Sequence, residues 1–177
     1  MKKVFVLSLL LIGGCSSMIG YNFTAGSKES VAKKIVYNYD EFEREGWLET
    51  EMYRGSSAQP GTNYKYRAYY TKNSELSFIQ IYAKTFNSDW CFINRISEFN
   101  GNVYNFHEIS RDVSSSGSVS VVESFALDVT KSQLEQLAQN NTKFKAIGQK
   151  CDSTFEIDKN VSSAFLDAVN ADNKNRR

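Results

Sequence analysis

Residues 64–71 alternate with a period of two. Tyr64, Tyr66, Ala68 and Tyr70 fall on one side, and Lys65 and Arg67 on the other. That period, with its aromatic content, predicts a half-buried strand. Residues 76–83 are apolar on both sides, with Phe78 and Tyr82 against Ile79 and Ile81, which suits a central strand. Val119, Val121, Phe125, Leu127 and Val129 mark one side of a third strand over 119–129. Shorter strands are predicted over 35–39, 47–53, 91–99 and 103–112. Asn100-Gly101 is a strong hairpin signal and is expected to join the last two. Residues 144–149 and 154–157 read as a closing hairpin with Cys151 at its bend.

Turns punctuate these runs. Pro60-Gly61 marks a loop over 54–63, and turns are expected at 72–74 and 114–118. Residues 40–46 set four acids and Arg44 around Phe42, as a turn or a short helix. Helical spacing appears twice, late in the chain. Thr130 and Gln133 have capping-box spacing ahead of Leu134, Leu137 and Ala138. Residues 159–169 carry Val161, Ala164, Phe165, Ala168 and Val169 on one stripe. Short turns joining neighbouring strands favour antiparallel pairing. The expected fold is mainly β with two short helices: a β-rich α+β domain. Its sheet forms an antiparallel sandwich, or curves under a cap of C-terminal helices.

The first residues follow another pattern. Lys2 and Lys3 precede an apolar run over 4–12, broken only by Ser8, and then Gly13, Gly14 and Cys15. A positive start, a short apolar core and small residues before a cut describe an export signal. The run is far shorter than the ~20 residues of a membrane span. Ile12-Gly13-Gly14-Cys15 resembles the lipobox of bacterial lipoproteins. That resemblance implies a diacylglycerol on the Cys15 sulfur, cleavage just before it, and acylation of the new amine. It covers the leader only. Ser16, where the enteric family places Asp to retain proteins at the inner membrane, favours the outer membrane. The resulting organisation is a signal peptide over 1–14, a lipidated Cys15 with a Ser- and Gly-rich tether over 15–30, one β-rich domain over 31–170, and a frayed tail over 171–177. Ile19, Tyr21 and Phe23 allow an early strand inside that tether.

Charge narrows the partners. The 21 basic side chains include Lys2 and Lys3, so the processed chain holds 19 against 20 acidic ones. Such a balance leaves no footprint for nucleic acid. The expected partners are the membrane, through the acyl chains, and an envelope protein or glycan. With Cys15 given to lipid, Cys91 and Cys151 remain. An even pair in an exported chain reads as a disulfide, with two free buried thiols as the alternative. A metal site has little to draw on, because His107 is the only histidine and neither cysteine has a neighbour at ligand spacing. No cofactor is expected beyond the lipid.

Candidate chemistry is sparse. His107 beside Glu108 offers a base and a carboxylate, but adjacent strand residues point to opposite faces, and no Gly-x-Ser-x-Gly elbow is present. The acids at 40–45 read as a solvated face rather than a carboxylate pair across a cleft. The best binding candidate is the row Tyr64, Tyr66 and Tyr70, with Lys65 and Arg67 opposite; its plainer reading is the inner face of the sheet. The expected function is a non-enzymatic binding or assembly role for an anchored envelope lipoprotein. The alternatives are a small enzyme using His107, or an inhibitor of lytic enzymes.

Overall fold

The structure is a computed structural model that describes residues 21–22, 25–56, 58, 60–114 and 120–175. The expected leader and Cys15 lie outside the described residues, as does most of the turn expected at 114–118. The elements run β1 (Tyr21–Asn22), α1 (Lys28–Ala32), β2 (Val36–Asp40), β3 (Glu45–Glu49), β4 (Met52–Arg54), β5 (Gly61–Tyr70) and β6 (Leu76–Asn87). They continue through β7 (Ile93–Glu98), β8 (Phe106–Ser114), β9 (Ser120–Asp128), α2 (Lys131–Leu137), β10 (Thr142–Gly148), β11 (Asp152–Ile157) and α3 (Lys159–Asn175).

Eight strands make one large sheet in the order β1-β4-β5-β6-β9-β8, with β3 on β5 beside β4 and β2 on β3. All its pairings are antiparallel except the short β1–β4 contact. A second sheet holds β11-β10-β7, also antiparallel. The mainly β, antiparallel fold class expected from the pattern is therefore present. Helix α2 begins where the capping box places it: Gln133 N donates to Thr130 Oγ1 at 3.2 Å and Thr130 N to Gln133 Oε1 at 2.8 Å.

The core lies between the inner face of β5, β6 and β9 and a layer made of the second sheet and the helices. Tyr66 stacks on Phe165 of α3, with ring centroids 5.2 Å apart, and Phe125 of β9 meets Phe155 of β11 at 6.5 Å. The β5 rings are tyrosines for a reason. Tyr64 Oη accepts the Asp158 N–H at 2.8 Å and Tyr66 Oη bonds Ser162 at 2.9 Å, so both hydroxyls hold the start of α3. A phenylalanine would fill the space but take the Tyr64 acceptor from the Asp158 N–H, or leave Ser162 Oγ only its bond to the Asp158 carbonyl.

Glu123 of β9 ties the two layers together. It is 4 % exposed, and its carboxylate accepts the backbone N–H groups of Cys91 (2.6 Å), Phe92 (3.0 Å) and Ile93 (2.8 Å) at the start of β7. Phe92 has φ +56°, so the turn that collects these donors is one an L-residue rarely adopts. Arg111 Nε lies 3.5 Å from the same carboxylate.

Five expectations need correction. Residues 47–53 are not one strand: β3 and β4 are separate, with three residues between Glu49 and Tyr53 facing two between Arg67 and Tyr64. The extra residue makes a bulge at Thr50-Glu51, where Thr50 Oγ1 accepts the Tyr66 N–H at 3.0 Å. Asn100-Gly101 does turn the chain, with Gly101 at φ +85°, but it makes no hairpin. β7 pairs β10 in the second sheet, and β8 pairs β9 in the first. The early strand allowed inside the tether is present as β1, which pairs β4, and α1 starts at Lys28, three residues before the domain was expected to begin. Helix α1 raises the helix count among the described residues to three. Finally, the tail expected to fray continues α3 as far as Asn175.

Candidate functional site

The tyrosine row is not a surface. Tyr64, Tyr66 and Tyr70 are at most 1 % exposed and face the core. Burial pushes the Tyr64 and Tyr66 hydroxyls up, away from ionisation. Lys65 and Arg67 point the other way, as strand alternation demands, onto the outer face of the large sheet.

That outer face is ordered in rows across the strands. In the first, Trp47 of β3 faces Tyr69 of β5, which faces Phe78 of β6. The three rings pack together, with centroids 5.0 Å (Trp47–Tyr69), 5.4 Å (Tyr69–Phe78) and 5.5 Å (Trp47–Phe78) apart. Tyr69 donates its hydroxyl to Glu45, and that bond raises its pKa.

In the second row Glu49, Arg67, Gln80 and Asp128 stand side by side on β3, β5, β6 and β9. Arg67 donates Nε (3.0 Å) and Nη2 (2.7 Å) to Gln80 Oε1, and Gln80 Nε2 donates to Asp128 Oδ1 at 2.9 Å. Asp128 Oδ2 lies 2.8 Å from His107 Nε2 on β8. Burial opposes the Asp128 charge, but the bonds from His107 and Gln80 prevail and hold its carboxyl below the usual range. Burial likewise pushes the Arg67 guanidinium down from its ordinary value.

The third row begins with Lys65 opposite Tyr82. The Tyr82 ring has three cations around it: Arg67 at 4.8 Å, Lys65 at 5.7 Å and Lys84 at 5.9 Å. Arg67 also lies 5.0 Å from the Trp47 ring, so its guanidinium sits between two aromatic faces. Lys65 pairs with Glu49 at 2.6 Å. Neither Arg67 nor Lys84 has an ion pair among the described residues. Beyond the Phe78 end of the first row opens a groove of about 430 Å³, lined in part by Leu76, Val103, Asn105, Asp128 and Lys131.

The sequence singled out Lys65, Arg67 and His107 on this face. It missed Trp47, Gln80, Tyr82, Lys84 and Asp128. His107 finds its carboxylate in Asp128, 21 residues away, while the neighbouring Glu108 turns to Arg111 at 2.7 Å. A base and an orienting acid are thus in contact, and no hydroxyl or thiol bonds His107 among the described residues. Cys91 and Cys151 meet at bonding distance, with Cα atoms 4.7 Å apart. Among the described residues no group of His, Cys, Asp and Glu is placed to hold a metal, and no helix is long and apolar enough to cross a membrane. No protein-family model, curated protein or solved structure matches the chain.

Proposed function

We propose that the chain is an envelope lipoprotein, anchored through Cys15 at the outer membrane, whose domain binds another envelope component without transforming it. The outer face of the large sheet is its binding surface. The observation that carries the binding role is the cross-strand array from Trp47 through Arg67, Gln80 and Tyr82. Its aromatic faces and spare cationic donors are set on a rigid sheet, which suits recognition. The anchor rests on the leader, where Ile12-Gly13-Gly14-Cys15 resembles the lipoprotein lipobox. The second reading, a His107 enzyme, has the 2.8 Å contact with Asp128 in its favour. It lacks a bonded nucleophile among the described residues.

Three measurements test the proposal. Fatty-acid labelling of cells, with mass spectrometry of the mature N-terminus, is expected to find a lipid-modified Cys15 as the first residue. An unprocessed, unlabelled product refutes the anchor. The immobilised domain is expected to retain an envelope component that a Trp47→Ala, Lys84→Glu double variant does not retain. Retention unchanged by that variant removes the assigned surface. Turnover of any envelope substrate that disappears with His107→Ala replaces this reading with the enzymatic one.

A further inference from the structure

We infer that the outer face of the large sheet takes an acidic glycan, its sugar rings lying on the Trp47–Tyr69–Phe78 row and its carboxylates meeting Arg67 and Lys84. This inference deepens the binding role proposed above and rests on it. Three features of the face converge on that ligand.

The first is the ring row. Its three rings span three strands and are packed on one another rather than standing free. A protein interface is anchored by side chains that enter pockets. A half-buried, mutually packed row has no such anchor, but it offers a platform. The C–H face of a pyranose is flat and apolar enough to lie on it, with the hydroxyls left at the rim for polar partners.

The second is charge. Lys65, Arg67 and Lys84 surround Tyr82, with Glu49 as the one carboxylate paired into the group. The rest of the face carries Glu45 on the Tyr69 hydroxyl and Asp128 held by His107 and Gln80, so the positive charge is local, at Arg67 and Lys84, the two cations of the cluster without an ion pair among the described residues. Arg67 has five N–H donors, of which Gln80 takes two. The other three have no partner among the described residues, and a planar guanidinium with free donors is suited to a carboxylate.

The third is spacing. Adjacent rows are two residues apart along the strands, roughly 7 Å. From the centre of a stacked pyranose to an exocyclic carboxylate oxygen is about 4 Å, and a charge-assisted hydrogen bond adds about 2.8 Å. A uronic acid centred on the first row thus reaches the guanidinium in the second. At the far end, the groove past Phe78 offers Asn105 and Lys131 to a further unit of the chain.

The test is calorimetry with alginate, polygalacturonate and hyaluronan oligosaccharides. Neutral cello-oligosaccharides, polyaspartate, a single-stranded oligonucleotide and phosphatidylglycerol vesicles serve as comparisons. Fluorescence of Trp47 in a Trp90→Phe background reports contact with the ring row. At least one acidic oligosaccharide is expected to bind and to perturb that emission. Its affinity should fall about tenfold on raising salt from about 0.05 to about 0.5 M. Lys84→Glu, at a half-buried site beside the Tyr82 ring, should weaken binding by about tenfold, and Trp47→Ala should weaken it at least as much by calorimetry, with a cooperative melt showing that each variant is folded.

Equal binding of neutral sugars overturns the acidic assignment. Polyaspartate, oligonucleotide or vesicles binding as well as the sugars overturns the glycan. No binding of any acidic oligosaccharide overturns the inference outright. In that case, retention of some other envelope component, still lost in the Trp47→Ala, Lys84→Glu variant, leaves the binding role standing. Loss of both fails the two readings together.

Discussion

Glu123→Gln is the most informative single change in this fold. The wild-type carboxylate serves three backbone donors with two oxygens: Oε1 takes Cys91 and Phe92, and Oε2 takes Ile93. Glutamine keeps one oxygen and places an NH₂ where the other stood. In either orientation that NH₂ faces at least one backbone N–H, donor against donor. Cys91 and Ile93 are 0 % and 2 % exposed, so water cannot substitute. One buried donor left without a partner costs about 1–3 kcal/mol. Loss of charge on the remaining bonds, and of the ion pair with Arg111, adds to it. We expect a destabilisation of about 2–4 kcal/mol, a large part of the total stability of about 5–15 kcal/mol for a domain. With an m-value of about 2 kcal/mol/M, the urea midpoint should fall by about 1–2 M. The assay is urea unfolding followed by circular dichroism and tryptophan fluorescence, with the cysteine pair kept oxidised. A loss below about 1 kcal/mol means that the turn at Phe92 is held by something other than this carboxylate.

Four further outcomes are expected. Cys151→Ser opens a link across a 60-residue separation and should cost about 4 kcal/mol, read from the same urea curves; no change under oxidising conditions argues against the bond. The Asp128 carboxyl is held below its ordinary range, so its stabilisation is present above about pH 4 and disappears as pH falls through its folded-state value. The melting-temperature gap between wild type and Asp128→Asn should therefore close in acid, and a gap that stays constant with pH refutes the assignment. Tyr66→Phe removes a buried hydroxyl bond to Ser162 and should cost about 1 kcal/mol by thermal melting. Phe42→Ser changes a ring that is 97 % exposed at a hairpin tip and should move stability by no more than about 0.5 kcal/mol.

Local signals in this chain were legible; pairings between distant segments were not. The capping box of α2 needs only Thr130 and Gln133, three residues apart, and both bonds form. The alternation over β5 separates core from surface correctly, but not which side faces which. Nothing in residues 64–70 says that the tyrosines must meet Ser162 and Phe165, nearly a hundred residues later. Asn100-Gly101 provided turn chemistry, and Gly101 takes the expected positive φ. Partner choice was settled elsewhere, because β7 is drawn to β10 and held by Glu123. The bulge at Thr50-Glu51 has no Gly or Pro to announce it; a threonine hydroxyl takes over from the backbone there. The candidate site was hidden for the same reason. Arg67, Gln80, Asp128 and His107 come together only once four strands are in register.

The early start of the fold has a mechanical consequence. Tyr21 is already paired with Met52, six residues beyond Cys15. At a maximum of ~3.6 Å per residue, that leash is about 20 Å long even at full stretch. On the proposed anchoring, the body of the protein rides low over its bilayer. The leash fixes how far Tyr21 can rise from the lipid, and beyond it only the breadth of the domain itself, about 40 Å for a body of this size, extends the reach.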